Sequence, residues 1–362
     1  MTGRVTVIGG GAVGLQAAIT LADHGVDVTV LEREELGSGA SGRAAGICYD
    51  AYADRRDAEI AGESIQYFRT HGLLTGRPYL WFAREGDDTA DAIESQAARM
   101  ADHGRDVEIL DCEAVAERFP GFVSEDIETA AIASNAGYVD PEVYVAHLGD
   151  RARSAGVSIQ TTVPAMVTED GSVRTGDSIR VSDAVLVAAG AGTPAVLSSL
   201  ESDLVLGLYR TQALEAASLD AAIPIYYDAS TERYARPTPG GVLAGDGSEM
   251  YRGKPTAYDR AADERFVSER LDGLDHRLRT DLTVERSWAG LCTATPDRDP
   301  LLGELETDVF VATGLCGHGL MRSPALGRII AEQMLGDAPI SGFDPNRFDG
   351  GESVSLPLGV TD

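Results

Sequence analysis

Lysine is almost missing from this chain, and positive charge is scarce overall. Lys254 is the single lysine; with the arginines it makes 30 basic residues against 58 aspartates and glutamates, a formal net charge of −28. Nucleic-acid binding depends on clustered cations that meet phosphates, so this balance argues against a nucleic-acid partner and against an anionic membrane surface. An acidic, arginine-only surface is typical of halophilic proteins, which stay dispersed when salt screens charge beyond a few ångström.

Cysteine and long apolar runs are also scarce. Four scattered cysteines, Cys48, Cys112, Cys292 and Cys316, are too few for a disulfide framework or a zinc-ligand set, so we expect reduced thiols and no metal. No run of about 18 apolar residues could span a bilayer, and the amino terminus has no signal-peptide pattern. With 362 residues and 43% hydrophobic content, we expect a globular, cytoplasmic protein with one large core or two smaller ones.

The clearest local pattern stands at the amino terminus. A short apolar run ends in glycines and is followed by a helical pattern and then by an alternating pattern, which predicts strand 5–8, helix 12–23 and strand 26–32. Gly9, Gly11 and Gly14 have the G-x-G-x-x-G spacing directly between the strand and the helix. The first allows a tight turn, the second lets a pyrophosphate approach the backbone, and the third lets the helix pack on the strand. The segment therefore predicts a dinucleotide-binding βαβ unit.

Glu32 ends the second predicted strand, where a side chain can distinguish FAD or NAD from NADP. A carboxylate at this place accepts hydrogen bonds from both hydroxyls of a ribose and repels a 2′-phosphate. The pattern favours FAD or NAD over NADP.

The rest of the chain divides into a few stretches. Residues 47–126 are polar with helical periodicity, and helices are predicted near 58–68, 88–103 and 112–118. Short strands follow at 157–163, 165–168, 178–181 and 184–188, the last running into small residues. Residues 204–287 hold several strands rich in Tyr and Val, which predicts an antiparallel sheet. A strand at 309–312 and a helix at 324–335 close the pattern.

Six ordered blocks of the sequence together resemble the FAD-dependent D-amino-acid oxidase superfamily, in particular its glycine oxidase and sarcosine oxidase-like branch. The first block is VIGGGAVGLQAAITLADHGVDVTVLER. The other five, in order, are GASGRAAGI, AGYVDPEVY, DAVLVAAGAGT, WAGLCTATPDRDPLLGE and ATGLCGHGLMRSPALG. The resemblance spans nearly the whole chain. It implies an α/β fold, with a Rossmann-like FAD-binding domain and a second, mostly antiparallel β-sheet substrate domain.

The resemblance also implies where each domain lies and which residues hold FAD. The FAD-binding domain would comprise residues 1–80, 131–203 and 288–345, the substrate domain 81–130 and 204–287, and a tail 346–362. FAD would be bound non-covalently, because the tethering cysteine of sarcosine oxidases aligns nearer Gly290 than Cys292. The residues expected to contact FAD are Gly9, Gly11, Ala12, Val13, Gly14, Glu32, Arg33, Ser41, Gly42, Ala45, Gly46, Val163, Ala189, Gly190, Gly317, His318, Gly319, Leu320 and Met321.

The substrate-binding residues depart from the family pattern at one position. Tyr234 matches a pocket-lining tyrosine of glycine oxidase relatives, but the arginine that clamps the substrate carboxylate is replaced here by Cys292. A thiol cannot make the bidentate pair that a guanidinium makes with a carboxylate. Arg236 offers a replacement because alternate residues of a strand share a face, so it points the same way as Tyr234. Arg322 is the second candidate, and an ordinary ion pair is the alternative for both.

The expected activity is oxidation of the C–N bond of a small amino acid or secondary amine, such as glycine, sarcosine, proline or a D-amino acid. Hydride would pass to the flavin, and the imine would hydrolyse. Oxygen or a quinone-type carrier would accept the electrons, and a homo-oligomer is possible. The alternatives are oxidation of a hydroxyacid or polyol C–OH, in which His318 would gain importance as a base, and a flavin-bearing subunit of a larger dehydrogenase complex.

Overall fold

The computed structural model describes residues 3–200, 202, 204–217 and 222–356. Its helices are α1 (Ala12–Asp23), α2 (Arg55–Thr70), α3 (Thr89–Asp102), α4 (Cys112–Arg118), α5 (Pro141–Ser154), α6 (Thr193–Val196), α7 (Glu264–Leu278) and α8 (Gly319–Leu335). Its strands are β1 (Arg4–Ile8), β2 (Asp27–Leu31), β3 (Ile47–Tyr49), β4 (Thr75–Gly76), β5 (Tyr79–Arg84), β6 (Val107–Leu110), β7 (Ile127–Ala133), β8 (Ala136–Tyr138), β9 (Ser158–Gln160), β10 (Met166–Val167), β11 (Val173–Thr175), β12 (Ser178–Arg180), β13 (Ala184–Val187), β14 (Gly207–Ala217), β15 (Ile225–Asp228), β16 (Arg233–Thr238), β17 (Gly241–Gly245), β18 (Glu249–Tyr251), β19 (Thr283–Ala294), β20 (Leu301–Glu306) and β21 (Val309–Thr313).

A six-stranded sheet in the order β20-β21-β13-β1-β2-β9 carries the amino-terminal motif. All of its neighbouring strands pair in parallel except β20, which lies antiparallel at one edge. Strands β1, β2, β13 and β21 are buried almost throughout, as expected for a parallel sheet covered by helices on both faces. The predicted βαβ unit is confirmed, with α1 connecting the parallel strands β1 and β2.

A larger, mostly antiparallel sheet forms the second half of the molecule. Its order is β18-β14-β17-β16-β15-β5-β7-β6, and β19 pairs with β14. One face packs against α4 and α7 through a core that includes Leu80, Phe82, Tyr226, Phe266 and Leu274. The predicted mixed α/β fold with an antiparallel sheet from residues 204–287 is confirmed. The predicted domain limits stay a prediction, and part of the predicted tail, residues 357–362, lies outside the described residues.

The prediction that residues 47–126 are helical is wrong in one respect. The three predicted helices are present as α2, α3 and α4, but strands β3 to β6 lie between them. Strand β5 lies in the middle of the large sheet between β15 and β7, and its sequence YLWFAR is apolar on both faces. A strand covered on both faces lacks the alternation by which a half-buried strand is recognised.

Helix α8 starts earlier than predicted, at Gly319 instead of Pro324. Proline favours the first turn of a helix because it has no N–H to donate, which is why the prediction placed the start there. In the structure Pro324 lies inside the helix, and the hydroxyl of Ser323 donates a hydrogen bond of 2.8 Å to the Leu320 carbonyl, which the missing N–H leaves free. None of the described helices is long enough and apolar enough to cross a membrane.

Candidate active site

The glycine turn after β1 has the geometry of a phosphate-binding loop. Gly9 has φ +119°, and a Cβ there would lie 2.3 Å from the Ala188 carbonyl oxygen. A Cβ on Gly14 would lie 2.2 Å from the Gly9 oxygen, so both positions need glycine for backbone packing. A Cβ on Gly11 would meet only the Ser41 hydroxyl, at 3.1 Å, which leaves this part of the backbone open to an approaching group. Helix α1 begins directly afterwards, and its amino-terminal N–H groups favour an anion.

Glu32 follows β2 and is fixed by two backbone amides. Its carboxylate accepts hydrogen bonds from the N–H of Gly10 at 2.7 Å and of Glu34 at 2.9 Å. Each carboxylate oxygen accepts more than one hydrogen bond, so both can still accept from a ribose diol. Arg33 lies beside it with 40% of its side chain exposed, 3.7 Å from Glu34.

A loop from residue 41 to 46 closes over the turn. The N–H of Ala12 donates to the Ser41 hydroxyl at 3.0 Å, which ties this loop to the start of α1. Gly46 has φ +74°, and a Cβ there would lie 2.0 Å from the Val139 oxygen. Gly42 packs on Gly37 in the same way, at 2.6 Å. The loop therefore depends on close backbone contacts at its two glycines.

One large cavity of about 1180 Å³ connects these elements. Clefts that hold a single small ligand typically measure about 300–1,000 Å³, so this volume has room for a dinucleotide and a small substrate. The cavity lies at the carboxyl ends of β1, β2 and β13, where ligands bind in open α/β sheets. Of the residues predicted to contact FAD, all line the cavity except Gly14 and Gly42, which pack against backbone beside it.

A strained turn between β21 and α8 brings a second helix terminus to the cavity. Gly314, Cys316 and Gly317 have φ values of +68°, +47° and +82°. The turn places residues 317–322 in the lining, and the first N–H groups of α8 have no acceptor within the helix. This end of the helix can therefore stabilise negative charge on a bound group.

His318 lies in the turn before α8 and is uncharged. Burial, together with the nearby charge of Arg322, lowers its pKa to about 3. Its Nε2 lies 3.5 Å from the Tyr49 hydroxyl, and the Tyr52 ring meets its imidazole edge to face with centroids 5.8 Å apart. A histidine with such a low pKa is a weak base at neutral pH.

Aromatic side chains that the sequence reasoning missed surround His318. The ring centroids of Tyr49 and Tyr79 are 4.4 Å apart, those of Tyr49 and Tyr52 are 5.3 Å apart, and those of Tyr79 and Trp81 are 5.7 Å apart. The pairs on neighbouring strands, Trp81 with Tyr227 and Tyr227 with Tyr234, extend the same wall. We call this part of the cavity the aromatic chamber, lined by Tyr49, Tyr52, Tyr79, Trp81, Tyr227, Tyr234, His318 and Arg322. The alternation of Tyr79 and Trp81 on one strand face is the signal that could have revealed it.

Arg322 is the buried guanidinium of the chamber. Only 2% of the residue is exposed, and its Nη1 donates to the Asp57 carboxylate at 3.0 Å. The guanidinium lies over the Tyr52 ring, 5.8 Å from its centroid. Its Nε is buried without a hydrogen-bond partner among the described residues, and no described residue accepts from its Nη2. The ion pair that the sequence allowed is present, but it uses only part of the guanidinium.

Tyr234 lines the cavity, whereas Arg236 does not. The Tyr234 ring lies over Gly245, where a Cβ would be 2.1 Å from its hydroxyl, and burial raises the pKa of that hydroxyl. Arg236 is 5% exposed and lies over the Tyr138 ring. Its Nε donates to the Ala45 carbonyl and its Nη1 to the Pro237 carbonyl at 3.0 Å. The structure gives no support to Arg236 as a carboxylate clamp, because protein carbonyls already hold its guanidinium outside the cavity lining.

Cys292, which the resemblance matches to the family's carboxylate-clamping arginine, lines the cavity. Burial raises the pKa of its thiol to about 11, so the thiol is protonated at neutral pH. It packs in a small cluster with Tyr209 and Cys316.

Comparison with known proteins agrees with this geometry. The model of the family described as DAO, FAD dependent oxidoreductase, matches residues 4–333. The gamma-glutamylputrescine oxidoreductase of Escherichia coli is 27% identical over 99% of this chain and 90% of its own length. The glycine oxidase of Pseudomonas aeruginosa is 28% identical over 95% of this chain and 98% of its own length.

Solved structures share the fold. L-proline dehydrogenase from P. horikoshii superposes with a TM-score of 0.87 at 23% identity, covering 97% of this chain and 99% of that one. Glycine oxidase from Geobacillus kaustophilus gives a TM-score of 0.86 at 21% identity, covering 96% and 100%. The glycine turn, the fixed carboxylate at Glu32 and two helix termini at one cavity fit a bound FAD. The chain therefore belongs to the DAO family of FAD-dependent oxidoreductases and is an enzyme.

Proposed function

We propose that the enzyme oxidises the C–N bond of a small amino acid or secondary amine to an imine, which water then hydrolyses. The observation that supports this most is the aromatic chamber, which is lined by uncharged rings and holds the partly used guanidinium of Arg322 over the Tyr52 ring. FAD, when bound, accepts the hydride that the substrate loses from the carbon next to nitrogen. The remaining tasks, binding, orientation and exclusion of water, belong to the chain.

Arg322 binds the substrate carboxylate in this proposal. A guanidinium has five N–H donors, and the described residues use only Nη1, which donates to Asp57. Its Nη2 can therefore donate to a second carboxylate, and hydrogen bonds between two charged groups are among the stronger ones in proteins. Tyr234, which the resemblance places in the substrate pocket, lines the same cavity.

The chamber also favours the reactive form of the amine. Hydride can leave only when the nitrogen carries a lone pair, so the ammonium must first lose a proton. Removing a cation from water disfavours its charged form and so promotes this loss. Burial raises the pKa values of Tyr49, Tyr52 and Tyr79, so their hydroxyls stay neutral and only exchange hydrogen bonds.

We propose that FAD is held without a covalent bond. A flavin tether needs a nucleophilic thiolate, and burial keeps the Cys292 thiol protonated. At the tether position of sarcosine oxidases the chain has Gly290, which lines the cavity. Acid precipitation of the purified enzyme should release all of its flavin into the supernatant. Flavin that stays with the precipitate would contradict this proposal.

The products of turnover test the reaction type. The enzyme is supplied with glycine, sarcosine, proline and D-alanine in turn, with a dye as electron acceptor, and the carbonyl and amine products are measured. We expect one carbonyl for each two-electron reduction of the dye, together with ammonium or a primary amine where the imine hydrolyses into two molecules. Turnover of glycolate or lactate without turnover of any amine would favour C–OH oxidation instead. No turnover of either class by the isolated, flavin-loaded chain would favour a subunit of a larger complex.

A further inference from the structure

A second cavity, of about 320 Å³, lies next to the large one. It is formed by the first half of α7, the turn at residues 231–233 and the loop at residues 246–248. Asp246 and Ser248 line both cavities, so the two are neighbours across this loop. None of the residues of the aromatic chamber takes part in the smaller cavity.

Arg270 faces this cavity without a partner. The residue is 7% exposed, and it makes no hydrogen bond and no ion pair to any residue that the structure describes. Its Nε is buried, and its guanidinium lies 5.4 Å from the centre of the Phe266 ring. A buried charge without a partner is costly. Burial and the positive charge of Arg233 lower the pKa of Arg270 to about 10, and the negative charge of Asp246, which lines the same cavity, acts in the opposite direction.

Two of the four carboxylates that line the same cavity have no direct ion pair among the described residues. Asp263 and Glu269 are satisfied, because they pair with Arg210 at 3.1 Å and with Arg265 at 2.7 Å. Asp246 and Glu232 form no ion pair within 4.0 Å in the described part of the chain. Burial raises the pKa of both carboxyl groups, and for Glu232 the charge of Asp246 adds to the effect, whereas the charges of Arg270 near Asp246 and of Arg298 near Glu232 act in the opposite direction. Asp246 also accepts a hydrogen bond of 3.0 Å from the Ser248 N–H, and Glu232 is exposed to solvent.

The hydroxyl of Thr231 completes the set. It lines the cavity, is buried, and has no hydrogen-bond partner among the described residues. The cavity thus offers a guanidinium and a hydroxyl that lack a hydrogen-bond acceptor, beside two carboxyl groups that lack a direct ion pair among the described residues. A simple anion would satisfy only the first pair and would be repelled by the second, and a simple cation would meet the reverse situation.

We propose that this cavity binds a small amino acid as its zwitterion, with the carboxylate at Arg270 and Thr231 and the ammonium at Asp246 and Glu232. A zwitterion meets both kinds of charge at once, because its carboxylate can accept hydrogen bonds from Arg270 and Thr231 and its ammonium can donate to Asp246 and Glu232. The site is separate from the chamber, so it does not depend on the reaction proposed above. It gives the enzyme a second amino-acid site one loop away from the first.

Equilibrium dialysis with radiolabelled glycine tests the proposal. The FAD-loaded enzyme is reduced with dithionite under argon so that no turnover occurs, and the salt concentration is held constant. We expect Arg270→Gln and Thr231→Val each to weaken glycine binding at this site, Arg270→Gln by about tenfold or more, because a hydrogen bond to a charged group is lost. The matched control Arg279→Gln also removes one positive charge, but its side chain is 66% exposed just beyond α7, and it should bind glycine like the unchanged enzyme.

Two competitors establish the ligand class. Acetate has only the negative end and methylammonium only the positive end, so each should displace glycine far less well than alanine does. Unaltered glycine binding in both cavity variants would overturn the proposal. Displacement by acetate as effective as by alanine would overturn it too, because the site would then bind simple anions.

The variant Arg322→Gln separates this proposal from the proposed function. If the chamber binds amino acids, the unchanged enzyme binds two glycines per chain, and Arg322→Gln leaves the site that Arg270 controls. If the chamber does not bind amino acids, the unchanged enzyme binds one glycine per chain, and Arg322→Gln does not alter this binding. Folding is checked by flavin content and by Tm without glycine. Arg270→Gln should retain both, because the guanidinium that it removes makes no hydrogen bond and no direct ion pair to any described residue.

Discussion

Arg322 and Arg236 were both expected from the sequence to recognise a carboxylate, and their surroundings now separate them. Arg322 lines the chamber and donates to Asp57, whereas Arg236 donates to the carbonyls of Ala45 and Pro237. We expect Arg322→Gln to raise KM for an amino-acid substrate by roughly 10- to 100-fold, the loss of a hydrogen bond between charged groups. kcat should change less, because the carboxylate is held equally before and during the reaction.

Two variants control this comparison of steady-state kinetics. Arg328→Gln removes a charge from the same helix, where Arg328 pairs with Glu63 and Glu332, and it should leave KM unchanged. Arg236→Gln should loosen the loop at Ala45 and reduce flavin retention without a selective effect on KM. A large rise in KM for Arg236→Gln, with Arg322→Gln unaffected, would contradict the assignment and restore the prediction made from strand alternation.

His318 should make stability depend on pH. Its pKa is lowered from 6.5 to about 3 in the folded protein, so below pH 6.5 the unfolded chain binds a proton that the folded chain does not. Stability therefore falls as the pH drops from 6.5 toward 3, by up to about 1.4 kcal/mol per pH unit from this residue. Urea denaturation at pH 7, 6 and 5 should show a smaller loss for His318→Gln. The exposed His276→Gln serves as the control, and equal slopes for His318→Gln and the unchanged enzyme would refute the effect.

The conformation and the hydrogen-bond partners of a long side chain could not be predicted from the sequence. Alternation along β16 put Arg236 on the face of Tyr234, but it could not show that the guanidinium reaches a carbonyl 191 residues earlier in the chain. A long side chain has several rotamers, and its choice depends on partners that only the folded chain brings near. The glycines of the first turn were predictable because their spacing between a strand and a helix is a local pattern, although Gly9 also packs against the distant Ala188 carbonyl.

At the scale of elements, the turn between β1 and α1 can be tested directly as the place where the FAD phosphates bind. A methyl group at Gly11 would contact only the Ser41 hydroxyl, so Gly11→Ala should fold. The same methyl group occupies the place where the phosphates approach the backbone. We expect FAD to bind about tenfold more weakly or worse, equal to a loss of at least 1.4 kcal/mol, as measured by flavin fluorescence titration.

Gly76→Ala is the control for this variant. A Cβ at Gly76 meets nothing within 4 Å, and the residue lies in the short strand β4. Both variants should keep the Tm of the unchanged apoenzyme. If Gly11→Ala retains full FAD affinity, the phosphates do not lie against this turn.

Elements with a repeating pattern were predictable, and elements without one were not. The βαβ unit and helices α2, α3 and α4 have clear periodicity, and the structure contains each of them. Strand β5 has none, because both of its faces are buried. Trp81 and Ala83 pack in a cluster with α3, and Leu80 and Phe82 pack in the core with α4 and α7. The start of α8 was missed because a proline inside a helix is tolerated only with a compensating donor, here the hydroxyl of Ser323.

At the scale of the whole molecule, the charge of −28 predicts dependence on salt. We propose that the protein is halophilic, because excess like charge destabilises a compact chain unless it is screened. The screening length is about 3 Å in 1 M salt and about 10 Å in 0.1 M. Tm should therefore fall when KCl is lowered from about 1 M to about 0.1 M. Sucrose, which carries no charge, should restore it less than salt does, and a Tm independent of salt would contradict the proposal.

The cavity itself is a property of the whole molecule. Its lining comes from the first turn, the loops after β2 and β13, the large sheet and the start of α8, and the family resemblance named most of these segments. The aromatic chamber and the second cavity form where separate parts of the chain meet. Local sequence patterns do not predict long-range contacts of this kind. The family resemblance predicted only those site residues that match the family's motifs.

The most direct test of the central claim is the absorbance of the bound flavin during anaerobic mixing with substrates in concentrated salt. We predict that the yellow enzyme bleaches with at least one of glycine, sarcosine, proline or D-alanine, and that it stays yellow with glycolate and lactate. Bleaching by a hydroxyacid alone, or folded protein that stays colourless after incubation with FAD, would contradict the account.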